Sequence, residues 1–196
     1  STKLDSVFGS EDKNDGIPVL IRTLCMLLAS NQFLPLSDSP LQKDSFISIN
    51  SKFLPVNRIN NSNEFPVFLE YIHFLGFLLP SENNGFWVDP TIAVSAQLPS
   101  IFSSEKKLPI RQFIERLASA LPVFDGCSYR IEIENEMQAR GWEKIGENRI
   151  SRSLAYSLES LRLSNNIEIE PGADDIQMML LPTNEGERPI SFIKLI

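Results

Sequence analysis

The sequence predicts an α+β fold, mainly helical, built as two units in each of which helices are followed by a short β-hairpin. Three observations predict it. Apolar side chains recur at spacings of three and four over 17–31, 64–76, 110–121 and 151–165. Two pairs of short apolar runs, 77–79 with 86–88 and 167–170 with 176–181, are each split by a polar turn that carries Pro. An offset of ninety residues then registers the two patterns, pairing Gly76 with Asn166, Phe77 with Ile167 and Phe86 with Ile176. The division that follows is a mobile lead-in over 1–15, a first unit over 16–104 and a second over 105–196.

The lead-in is polar and holds Asp5, Glu11, Asp12 and Asp15. Pro18 suits the first turn of a helix, where its missing N–H costs nothing, and Leu20, Ile21, Leu24, Leu27 and Leu28 give that helix its stripe. Residues 35–63 are rich in Ser, Asn and Pro and read mostly as loop, with short apolar groups at 46–49 and 53–56. Phe65, Phe68, Leu69, Ile72 and Leu75 share one face of the next helix, which Gly76 stops. Pro90 opens a short helix to residue 96, and 98–104 closes the unit.

In the second unit, Ile110, Phe113, Ile114, Leu117, Ala118 and Leu121 define a helix after Pro109. Tyr129, Ile131 and Ile133 alternate with charged residues as in a strand, so the following helix is placed over 133–140. Ser151 or Ser153 caps the helix carrying Leu154, Leu158 and Leu161, and 165–166 ends it. The apolar terminus 189–196 calls for a place in a sheet, in this chain or in a neighbour.

The 42% apolar content fills ordinary cores, and no run approaches the roughly 20 apolar residues of a membrane span. The N-terminus has no basic stretch leading into an apolar one, so a membrane partner is not expected. Cys25 and Cys127 stand alone without CxxC spacing, which fits a reducing, cytoplasmic setting. Asn60-Asn61-Ser62 matches a glycosylation sequon and reads as a polar loop. A formal charge of −7 makes this an acidic protein and argues against coating DNA without selectivity, because that mode rests on neutralising phosphates. Basic side chains gather in the second half, twelve against fifteen acids, compared with six against ten before residue 105.

Residues 109–182 resemble the winged-helix family, and 17–102 resemble it less closely. The resemblance implies three helices followed by a β-hairpin wing, with the third helix entering the DNA major groove. In size, acidity and helix-wing order the chain is also similar to tandem winged-helix subunits of bacterial chromosome-organising and genome-defence complexes. DNA binding then falls on the helix at 151–165, through Arg149, Arg152, Ser153, Tyr156, Ser157 and Arg162. The same side chains also suit an ordinary solvent-facing surface, and Glu168, Glu170, Asp174 and Asp175 in the wing repel phosphate.

The first unit suits protein–protein interaction better. Its helix carries Phe65, Phe68, Tyr71 and Phe74, more aromatics than one core stripe takes, so Phe65, Tyr71, Phe74 and Trp87 are candidates for an interface with a protein partner or a second copy in a dimer. No enzyme motif stands out. The single histidine, His73, reads as a core residue, and neither a phosphate loop nor metal spacing is present, so no cofactor or metal is expected. Glu132, Glu134 and Glu136 share a side only if they lie on a strand. Two functions remain: a DNA-binding or DNA-targeting module, slightly favoured by the arginines, and an assembly subunit of a larger bacterial complex.

Overall fold

The computed structural model describes residues 18–35, 37, 39–55, 59, 63–82, 85–146, 148–171, 178–183 and 185–196. The lead-in at 1–15, the sequon at 60–62 and the wing turn with Asp174 and Asp175 lie outside these residues. Among the described residues the order is α1 (Val19–Ser30), α2 (Lys43–Phe53), α3 (Glu64–Phe74), β1 (Leu78–Pro80), β2 (Phe86–Val88) and α4 (Thr91–Phe102). There follow β3 (Lys107–Pro109), α5 (Ile110–Ala120), α6 (Ser128–Gln138), α7 (Arg152–Leu163), β4 (Ile167–Pro171), β5 (Met179–Thr183) and β6 (Gly186–Leu195). The fold is α+β and mainly helical.

Helix α1 has every residue from Ile21 to Ala29 buried, so it is a central helix and not a one-sided one. Asn31 ends it in the left-handed conformation at φ 59°. Its buried Arg22 is answered from another element, the guanidinium donating twice to Glu136 of α6, at 2.7 and 3.2 Å, while Thr23 donates to the Val19 carbonyl of the same helix. α2 occupies a stretch that reads as loop in the sequence. Its Ser and Asn residues are weak helix formers, but Phe46, Ile49 and Phe53 come together at helical spacing and are buried. Phe46 lies 4.7 Å from the Phe65 ring and 5.6 Å from that of Phe68, so tertiary packing outweighs local preference.

Below α3, Gly76 adopts φ +82°, and Phe77 N–H donates to the Ile72 carbonyl, turning the chain into β1. β1 and β2 pair antiparallel, Leu79 opposite Trp87. α4 runs past the expected stop at residue 96 and through Pro99, whose absent N–H removes one helical bond. Arg116 of α5 donates to the Ile101 carbonyl at 2.7 Å and so answers an orphan acceptor near the end of α4.

Among the described residues 167–171 and 178–181 do not pair with each other as the expected hairpin. β4 and β5 each pair antiparallel with the ten-residue β6, on opposite edges, since Ile190 faces both Pro171 and Met179. β3, which the sequence did not announce, joins β6 on the β5 side and gives the order β3-β6-β4. The apolar terminus therefore finds its partners within this chain. A local reading sees only neighbouring runs, whereas β6 offers both of its edges to strands distant in sequence. On the outer face Lys194 donates to Glu168 at 2.8 Å and holds that carboxyl below its ordinary range.

α6 starts at Ser128, five residues before its expected start, because the alternation at 129–133 misleads. The side chains that face inward are Arg130, Ile133 and Met137, at spacings of three and four, while Ile131 is exposed. Arg130 is fully buried. Its Nε donates to Glu134 at 2.6 Å, its Nη1 donates to the Val123 carbonyl at 3.1 Å, and Asp125 lies 3.8 Å from Nη2. One apolar cluster runs from Ile21 to Ile193 and is continuous across residues 104 and 105, with Phe77 stacked 6.0 Å from Phe124.

Two stability predictions follow from these contacts. A Cβ at Gly76 would stand 2.9 Å from the Ala93 backbone nitrogen at a positive φ, so Gly76→Ala should cost roughly 1–3 kcal/mol in urea unfolding. Arg130→Met leaves the Asp125 and Glu134 carboxylates without their cation and should cost about 3–5 kcal/mol. A loss below about 1 kcal/mol, the level of a surface pair, would show that the buried guanidinium is not structurally required.

Candidate functional site

Helix α7 begins where Ser151 turns the chain. Its Oγ accepts from Leu154 N–H at 3.3 Å, and its own N–H donates to Asp125 at 2.7 Å. Leu154, Leu158 and Leu161 pack into the core as their spacing predicts. One flank beside this stripe is occupied too. α4 and α1 lie against α7, and the Ser153 hydroxyl donates to the Leu28 carbonyl at 2.9 Å. Ser157 donates to the Ser153 carbonyl at 3.2 Å.

Ser153 and Ser157 are therefore buried and do not belong to a DNA-facing surface, a correction to the sequence reading. The Ser153 hydroxyl answers a carbonyl in the last turn of α1, and the Ser157 hydroxyl bonds back to its own helix. Tyr156 is half-buried in the same seam. Burial first, and then the Asp89 carboxylate, push its hydroxyl above the ordinary range, while Ser160 opposes them. Only Arg152 and Leu163 of α7 are exposed.

The three arginines do not form one patch of free charge. Arg149 pairs with Glu187 at 3.0 Å. Arg162 pairs with Glu159 at 2.7 Å, and the same carboxylate takes Arg188 at 2.5 Å. Arg152 makes no hydrogen bond or ion pair with the described residues. Arg188 and Glu187 were missed in the sequence because β6 brings them to α7 from the far end of the chain. A helix that reads the major groove presents a free outer face. In α7 the flank at Ser153 and Ser157 is buried, and the outer face carries the exposed Arg152 and Leu163 with the half-buried Tyr156 and Glu159.

Helix α3 is the converse case. Phe65 is buried against Phe46 and is core, which corrects its assignment to an interface. Trp87 is partly covered in β2. Tyr71 and Phe74 are 49% and 80% exposed, and Val67, which the sequence reading passed over, is 50% exposed. The signal for Val67 was present, since 67, 71 and 74 repeat the helical spacing on the face opposite Phe65, Phe68 and Ile72. Ile92 of α4, 62% exposed, adjoins this helix end through its contact with Gly76.

The residues weighed for catalysis are scattered. His73 is exposed, with its ring 5.7 Å from Phe86, and is not the core histidine expected. Its position in an apolar helix was a poor guide because that helix has a second, open apolar face. On helix α6 the glutamates spread apart: Glu132 is exposed, Glu134 serves Arg130, and Glu136 serves Arg22. Cys25 and Cys127 are free; Cys25 is buried, and burial pushes its thiol up to about 12 against the opposing pull of Arg130. Among the described residues no group of three or more His, Cys, Asp or Glu is arranged to hold a metal, and no helix is long and apolar enough to cross a membrane.

Fold and surface together define a mainly helical α+β protein whose most open functional-type face is apolar. The chain belongs to the DpdG-like family, whose model matches residues 2–175. That membership is consistent with a bacterial genome-defence-related protein. No curated protein and no solved structure matches the chain.

The contrast between the thiols is directly measurable. At neutral pH a disulfide reagent should titrate one thiol, the partly exposed Cys127, and a second only after unfolding, because the buried Cys25 stays protonated far above neutrality. Rapid modification of both in the native protein would contradict the burial of α1.

Proposed function

We propose that this chain is a non-enzymatic assembly subunit of a DNA-modification or genome-defence system, working in the cytoplasm. Family membership supports the setting. The observation that carries the role is the contrast between two helices: α7, the expected DNA reader, has Ser153 and Ser157 buried and the neighbouring Arg149 and Arg162 paired with acids, while α3 holds Phe74 80% exposed. An acidic total charge of −7 fits contact with protein better than with phosphate. The two-unit, winged-helix-like reading is supported by the second half, where three helices lie between β3 and β4 and both strands flank β6.

Direct contact of α7 with DNA is the second reading, and Arg152 favours it. This arginine stands exposed at the first turn of the helix with no acid paired to it among the described residues. Contact of that kind would use the helix end and one or two phosphates.

Gel retardation at low salt separates the readings. An assembly subunit should leave duplex DNA unretarded at micromolar concentration and form a complex of fixed stoichiometry, by light scattering, with a protein co-expressed from the same gene cluster. Salt-sensitive retardation by the chain alone, weakened on the order of tenfold by Arg152→Ala, would favour the DNA reading. Failure to form a complex with any co-expressed protein would count against assembly.

A further inference from the structure

At about 100° per residue, Arg152, Tyr156, Glu159 and Leu163 fall within roughly 60° of arc on the outward side of α7. Arg152 and Leu163, at the two ends of this line, are exposed. Arg162 lies on the flank that faces β6, from which Arg188 reaches across. Those two guanidiniums share one carboxylate: Arg162 spends its Nε on Glu159 at 2.7 Å and Arg188 its Nη2 at 2.5 Å, with side chains 39% and 40% exposed. A guanidinium has more N–H donors than one carboxylate oxygen takes, so both keep idle donors, and Arg152 spends none on the described residues. The acids that the described contacts bring to this surface are Glu159 and, on the α4 side of Tyr156, Asp89. Cations stay in excess here, in a chain whose total charge is −7.

We infer that this line docks an acidic helix of a different protein, one that sets a carboxylate against Arg152, another against the Arg162–Arg188 pair and an apolar side chain against Leu163. Arg152 and Glu159 stand about 11 Å apart along the axis, so the two carboxylates lie two turns apart on such a helix. Charge-assisted bonds to the idle guanidinium donors fix its register, and Arg and Tyr are side chains on which protein contacts concentrate. The charges select the occupant. A second copy is a poor one, because it brings the same excess of guanidiniums against this one. Duplex DNA is a poor one too. Its phosphates follow one another without a break, so they meet Glu159 with repulsion, and they offer nothing apolar to cover Leu163.

The inference rests on the assembly reading and is tested apart from it. The full chain is used to select from a displayed library of helical peptides with Leu fixed on one face and Glu, Gln and Lys randomised beside it. The double variant Arg152→Gln, Leu163→Ser serves as the counter-selector; both residues are exposed, so circular dichroism and the melting curve should match wild type. Enriched peptides should carry Glu two turns apart, and Arg152→Gln or Arg188→Gln should each weaken them on the order of tenfold. Arg152→Glu should turn the preference at the facing position to Lys. Enrichment of Lys by wild type, no charge preference, or no peptide that distinguishes wild type from the counter-selector overturns the inference. Displacement of an enriched peptide by duplex DNA at equal charge concentration assigns the surface to nucleic acid and overturns it as well, as does a wild-type dimer that Arg152→Glu converts to monomer. A co-expressed complex that survives Arg152→Glu combined with Leu163→Ser sinks this surface alone, whereas the absence of any complex sinks the assembly reading on which it rests.

Discussion

A guanidinium taken out of water must have its donors answered, and the middle of this protein is arranged around that demand. Arg130 is held by Glu134 one turn away, by the Val123 carbonyl and by the nearby Asp125. Asp125 also accepts the Ser151 N–H, so the loop between α5 and α6 and the start of α7 are tied to one buried charge. The direction of α7, and hence what it presents to solvent, depends on this group.

The second constraint is the central helix. α1 buries every side chain from residue 21 to residue 29, and two contacts join it to distant elements: Arg22 to Glu136 in α6, and the Leu28 carbonyl to Ser153 in α7. A helix buried on all sides needs neighbours on all sides, and α6 and α7 supply part of that cover. The cost falls on α7, because a surface spent covering α1 is not available to a DNA groove.

Charge is handled in the same way near the sheet. β6 carries Glu187 and Arg188 to α7, and the resulting pairs, Arg149 with Glu187 and Glu159 shared between Arg162 and Arg188, use up much of the positive field that the linear sequence suggests. Exposed pairs of this kind add little stability. Their larger effect here is to remove free charge from the surface. Arg152 stays exposed beside them, and α3 and Ile92 carry several of the large apolar side chains left open on the described surface.

Much of the fold was legible in the sequence. Helical spacing located α1, α3, α5 and α7, Gly76 and the Asn pair marked two helix stops, and Ser151 was read as a cap, because these are local matters of periodicity and backbone conformation. The openness of Tyr71 and Phe74 was legible too, since four aromatics on one short helix cannot share one stripe. The tertiary structure alone decided the rest. α2 became a helix because Phe46 is packed between Phe65 and Phe68, α6 began early because its inward residue is an arginine, and β4 and β5 were parted by a strand beginning at Gly186. Ser153 left the surface and Arg149 met an acid for the same reason: their partners, the Leu28 carbonyl and Glu187, are set by long-range packing. Spacing along a chain determines which face a residue occupies; only the packed molecule determines what covers that face.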